Sequence, residues 1–102
     1  MGRVTPVQLQ QTEREFEAAV VELAKLNGWK VFHPFDSRRS EPGWPDLTLV
    51  RGQRLVVAEL KSERGKLSAA QTDWTHALLF AGVDIRVWRP RDWPEIERTL
   101  AR

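Results

Sequence analysis

Three residues near the middle of the chain have types and spacing suited to chemistry: Asp46, just after Pro45, then Glu59 and Lys61 with Leu60 between them. Side chains alternate along a strand, so Glu59 and Lys61 point to one face and Leu60 to the other. The runs 46–51 and 54–61 are β-rich and separated only by Gly52-Gln53, the mark of a tight hairpin. Asp46 then falls at the open end of that hairpin, as do Glu59 and Lys61. Two carboxylates and an ammonium converge at one edge of a sheet.

Carboxylates at close range repel, and the hard oxygen donors they present favour magnesium or manganese between them. Such a cation lowers the pKa of a bound water and stabilises charge building on a phosphate. A lysine alongside orients the water or stabilises the pentacovalent phosphate. With no redox centre and no evident nucleophile, the set suits phosphodiester hydrolysis by water. The plainer reading of Glu-x-Lys on a strand is a surface ion pair contributing roughly 0–1 kcal/mol. Context separates the two. Glu59 follows the apolar run Leu55-Val56-Val57-Ala58, and Asp46 follows Gly43-Trp44-Pro45. Charges that close a buried strand are costly unless paired or bound to something.

The elements that must position these groups are legible on both sides. A helix is expected from about Glu13 to Asn27, with Thr12 and Glu15 at capping-box spacing and Gly28 as its stop. Phe16, Val20, Leu23, Ala24 and Asn27 follow helical period. Glu13 and Glu17 project to the side of Val20 and Ala24, at the rim of the apolar stripe, while Glu15 and Glu22 face solvent. Either rim glutamate can be a further ligand, a water-orienting group or an ordinary boundary residue. Residues 29–33 read as a strand, 35–45 as a loop and 62–67 as a polar loop turned outward. Ser68, with Gln71 at capping-box spacing, begins a helix to about Ala81, closed by Gly82. A strand over 84–89 and a last helix capped by Asp92 and running through Leu100 complete the chain. The order α-β-β-β-α-β-α predicts an α/β fold with a mixed sheet of about four strands flanked by helices, the last strand parallel to its neighbour.

The chain has 102 residues, suited to one domain over 1–102. It contains no cysteine, which excludes disulfides and thiolate zinc sites and suits a reducing cytoplasm. No stretch approaches the roughly 18 apolar residues of a membrane span, and no signal peptide is visible. A soluble, cytoplasmic protein is expected. Formal net charge is +2, which permits nucleic-acid binding without diagnosing it.

Read together, Gly43-Trp44-Pro45-Asp46, Glu59-Leu60-Lys61 and Gln71 resemble the motif set of the PD-(D/E)XK nuclease superfamily, specifically its VRR-NUC (virus-type replication-repair nuclease) branch. Gly28-Trp29, Ser37-Arg38-Arg39-Ser40 and Lys66-Leu67-Ser68 add to the similarity, which spans roughly residues 13–93. The resemblance implies a restriction-endonuclease-like core and divalent-metal-dependent cleavage of DNA. It implies that Asp46, Glu59 and the backbone carbonyl of Leu60 bind Mg2+ or Mn2+, that Lys61 assists the water, and that Gln71 sits beside the site, a role that competes with its cap. The family's helix acid maps to Glu13, with Glu17 retained beside it. The bare domain is similar to stand-alone phage forms, which implies a homodimer acting on branched DNA in repair or DNA processing, such as a Holliday junction. No organic cofactor is implied.

Arg38, Arg39, Arg64 and Lys66 are candidates for phosphate contacts, within a basic middle stretch that also holds Arg51 and Arg54. His33 is read as packed against its neighbours, with a role at the site as the other possibility, and His76 as exposed. Most of the five tryptophans should be packing residues, although Trp44 is placed to stack on a base. A nucleic-acid-binding module that kept the fold without catalysis is the alternative function.

Overall fold

Thr12 and Glu15 begin the first long helix as their spacing predicts: the Thr12 hydroxyl accepts the Glu15 N–H at 3.1 Å and the Glu15 carboxylate accepts the Thr12 N–H at 2.9 Å. The computed structural model describes residues 3–34 and 41–101. Four helices, α1 (Pro6–Leu9), α2 (Glu13–Leu26), α3 (Ala69–Phe80) and α4 (Trp93–Leu100), accompany four strands, β1 (Lys30–Phe32), β2 (Leu47–Arg51), β3 (Arg54–Leu60) and β4 (Ile85–Trp88). A 3-10 turn, Pro90–Asp92, joins β4 to α4. The helix α2 ends as a Schellman motif on Gly28, at φ 84°, with the Trp29 N–H donating to Ala24 at 2.9 Å.

The sheet order is β1-β2-β3-β4, antiparallel for the first two pairs and parallel for β3 with β4. Gly52, at φ 60°, occupies the first central position of the two-residue turn, and Arg51 pairs with Arg54 across it. Inward residues of β2 and β3, Leu47, Leu49, Val56, Ala58 and Leu60, pack with Phe16, Val20 and Ala24 of α2, Trp88 of β4, and Ile96 and Leu100 of α4. The central strand β3 is buried from Val56 onward, with Glu59 on the face opposite Ala58 and Leu60. The helix α3 crosses from β3 to β4, as a parallel pair requires. Among the described residues no helix is long and apolar enough to cross a membrane.

Two expectations need correction and two need an addition. The short helix α1 was not foreseen, although Thr5 and Gln8 close a capping box there. Asp92 does not cap α4 through its side chain. Its Oδ2 accepts the Arg89 N–H at 2.8 Å, because Pro90 folds the chain into a 3-10 turn that returns Asp92 toward Arg89. The segment after β3 is the polar outward loop expected, but it is tied to the fold, since the Arg89 guanidinium donates to the carbonyls of Ser62 and Gly65 at 2.7 and 2.6 Å. Arg51 and Arg54 of the basic middle stretch are engaged by the protein itself. They flank the Trp29 ring at 4.8 and 5.1 Å and hold the C-terminal backbone, Arg51 donating to Ala101 O at 2.9 Å and Arg54 to Thr99 O at 2.9 Å.

Replacing Arg89 with Met removes two charge-assisted bonds to the 62–65 segment. The expected result is a loss of about 1–3 kcal/mol in denaturant unfolding, with faster amide exchange in that segment than in β3.

Candidate active site

Asp46 sits one residue before β2, and its carboxylate Oδ2 accepts the backbone N–H of Leu60 at 2.8 Å. That bond joins the open end of the hairpin and sets the Asp46 carboxyl against Glu59. Glu59 is 1% exposed, and neither of its carboxyl oxygens finds a hydrogen-bond donor among the described residues. Its close polar neighbour is Asp46, another carboxyl, so only a shared proton or a cation can reconcile the two. Burial first, then the hydrogen bond and charge of Asp46, push the Glu59 carboxyl up to about 9, against a lowering by Lys61. Lys61, on the same side of the strand, is 8% exposed, with its N–H bonded to Trp88 O at 3.0 Å.

The turn leading into Asp46 is fixed by packing. Gly43 has φ 88°, and a Cβ there would meet the Ala70 carbonyl carbon and oxygen at 2.5 Å, so the turn lies directly on the first turn of α3. Pro45 is fully buried, and the Trp44 and Trp74 rings meet edge to face with centroids 5.0 Å apart. Gln71 is held by its cap: Oε1 accepts the Ser68 N–H at 2.8 Å, which leaves the amide N–H2 as a donor for a substrate.

Beside Asp46 opens a groove of about 710 Å3. Glu13, Arg14, Glu17, Ala18 and Val21 of α2 form one wall, with His33 and Pro34 after β1, the 41–46 turn, and Gln71 opposite. Glu17 is held above the ordinary carboxylate range by burial and by Asp46, with His33 acting in the other direction, its Nδ1 3.9 Å from Glu17. Asp46, Glu13, Glu17 and Gln71 thus share one groove, while Glu59 and Lys61 lie outside its lining. Among the described residues no three or more His, Cys, Asp or Glu form a group able to hold a metal ion. The buried Glu59 carboxyl and its Asp46 neighbour nonetheless suit a hard cation, which would satisfy oxygens that have no donor among the described residues.

Other sequence candidates fall elsewhere. Arg38 and Arg39 lie outside the described residues. Arg64 is exposed and borders a different recess, with α1 and Ser62, and Lys66 is exposed. His33 is half exposed on the groove rather than packed within the fold, and His76 is exposed. Sequence reasoning missed Arg14 as a groove residue. Its signal was present, since Arg14, Ala18 and Val21 share one row of the helix.

The fold is α/β of VRR-NUC type, a mixed four-stranded sheet between helices. Among solved structures the chain is similar to one described as a "VRR_NUC domain protein", with a TM-score of 0.65 and 22% identity over 80% of each chain. At that identity the likeness is one of fold. No family model matches the chain, and no curated protein does.

Two outcomes follow. In the metal-free protein Glu59 binds a proton more tightly folded than unfolded, so its contribution to stability is fully present below about 4.5 and is lost as pH rises to about 9. Melting curves in EDTA should show this decline, and Glu59→Gln should flatten it and stabilise the protein at pH 8. Gly43→Ala combines a strained φ with a backbone clash and should lower stability by roughly 1–3 kcal/mol in denaturant titrations.

Proposed function

We propose that this chain, as one domain over 1–102, is a divalent-metal-dependent endonuclease that hydrolyses DNA phosphodiester bonds. The observation that carries the reading is the buried Glu59 carboxyl, both oxygens without a donor among the described residues, set against Asp46 with Lys61 buried beside it. A surface ion pair needs no such arrangement, and burying two carboxyls against a single lysine is unfavourable unless a proton or a cation joins them.

Asp46, Glu59 and the backbone carbonyl of Leu60 would hold Mg2+ or Mn2+, which when bound supplies a water of lowered pKa and charge stabilisation at the phosphate. The chain's own residues do the remaining work. Lys61 donates to the attacking water or a phosphate oxygen from a site that excludes bulk solvent. Glu13 and Glu17, on the wall facing Asp46, orient water or complete the ligand set. The Gln71 amide donates to the substrate, its oxygen being engaged by the cap. Arg38, Arg39, Arg64 and Lys66 contact the DNA backbone. The resemblance to VRR-NUC proteins supports branched DNA, including four-way junctions in phage DNA processing or repair, as substrate and a homodimer as the working form.

Supercoiled plasmid and a synthetic four-way junction should be cut with magnesium or manganese and not in EDTA. Glu59→Ala and Lys61→Ala should each lower the rate by roughly 100-fold or more. Either metal should raise the melting temperature of the wild type and not that of Asp46→Asn. DNA binding that survives without cutting in any metal would make the chain a binding module of the same fold.

A further inference from the structure

The groove beside Asp46 has a charge pattern at odds with a phosphate track. Among the described residues lining it, the carboxylates Glu13, Glu17, Glu41 and Asp46 face only Arg14 and His33 as basic groups. A DNA backbone laid along these described residues meets more carboxylates than basic groups, except where a bound cation offsets the charge. An uncharged base does not. The exocyclic amino groups of adenine, cytosine and guanine are donors, and the acidic wall supplies acceptors.

The same groove holds a stacking surface. Trp44 lines it two residues before Asp46 and remains partly exposed there. The ring is already in place before any ligand arrives. Gly43 presses on the Ala70 backbone, Pro45 is buried, the Trp44 N–H donates to Glu41 O at 3.2 Å, and Trp74 packs against the ring at an interplanar angle of 81°. A surface so preorganised costs little further ordering on binding. Aromatic rings take bases of any identity by stacking, but a base inside a duplex has both faces occupied.

We infer that the groove takes an unpaired nucleobase, stacked on Trp44, from the nucleotide next to the cleaved phosphodiester, so that the substrate is DNA with an unpaired nucleotide at the cut. This rests on the nuclease reading of the Asp46 site and specifies its substrate. A fully paired duplex presents the groove with phosphates its acidic wall disfavours. A flap, a frayed junction arm or a single strand presents a base that it accommodates.

The test uses labelled oligonucleotides and fluorescence anisotropy in EDTA, where cutting is blocked. The wild type should bind a duplex containing two unpaired nucleotides roughly 10-fold more tightly than the fully paired duplex. Abasic residues at the unpaired positions should abolish that preference. Trp44→Phe should keep most of it. Trp44→Ala should lose it, its affinity falling about 10-fold more for the DNA with unpaired nucleotides than for the fully paired duplex. A preference that persists with abasic residues, equal losses on both substrates in Trp44→Ala, or no binding to any of the DNAs would overturn the inference. The abasic comparison uses the wild-type protein, so it decides the matter even where Trp44→Ala fails to fold. Base-dependent binding without cutting in magnesium or manganese would remove the nuclease reading and keep the base site. Cutting that is indifferent to abasic residues would do the reverse.

Discussion

The Leu60 amide donates to the Asp46 carboxylate across the open end of the β2–β3 hairpin, and the rest of the site is arranged around that bond. It brings a carboxyl from the turn before β2 to the level of Glu59 on β3. It also leaves the second Asp46 oxygen and both Glu59 oxygens to settle their repulsion by some other means. Each element around them restricts the choices. Gly43 and Pro45 fix the approach of the turn, α2 lays acidic side chains along the facing wall, and the strand buries Lys61 next to Glu59. The backbone places the acids before any ligand is bound.

Such a site is destabilising in isolation and must be supported by packing elsewhere. The support is concentrated on the other face of the sheet, where Phe16, Val20, Leu47, Leu49, Leu60, Trp88, Ile96 and Leu100 are all fully buried. Leu60 belongs to both halves: its side chain is in the core and its amide holds Asp46. The far end of the sheet is closed by Trp29, whose indole N–H donates to Leu100 O at 3.0 Å, with Arg51 and Arg54 over its ring. Rigidity is thereby supplied to β3 from both ends.

Much of this was legible because it is local. Capping boxes at Thr12 and Ser68, glycine stops at Gly28 and Gly82, and a two-residue turn between β-rich runs are read from neighbours in sequence. The hairpin then carried Asp46, Glu59 and Lys61 to one place by strand alternation alone. What escaped depends on distant partners. The guanidiniums of Arg51 and Arg54 seek C-terminal carbonyls, and Arg89 reaches back to Ser62 and Gly65. A charge count sees only basic residues there. Asp92 was misread for a different reason: two acceptable helix starts lay within reach of one side chain, and the proline turn decided between them. Gln71 shows the opposite case, since its cap and its place on the groove are compatible once each end of the amide is assigned separately.

The pairing of β2 with β3 has a consequence for how such a chain can diverge. Leu47 opposes Ala58 and Arg51 opposes Arg54 without a bulge, so the span 46–60 is a fixed ruler. One residue inserted into the paired part of β3 would exchange Glu59 with Leu60 in facing direction, and one inserted into β2 would do the same to Asp46 and Leu47, in either case turning a charge toward the core. Descendants can therefore lengthen this hairpin only by adding residues to both strands together at the turn. Insertions and deletions elsewhere leave the ruler intact. Homologues should preserve that spacing even where most of their side chains differ.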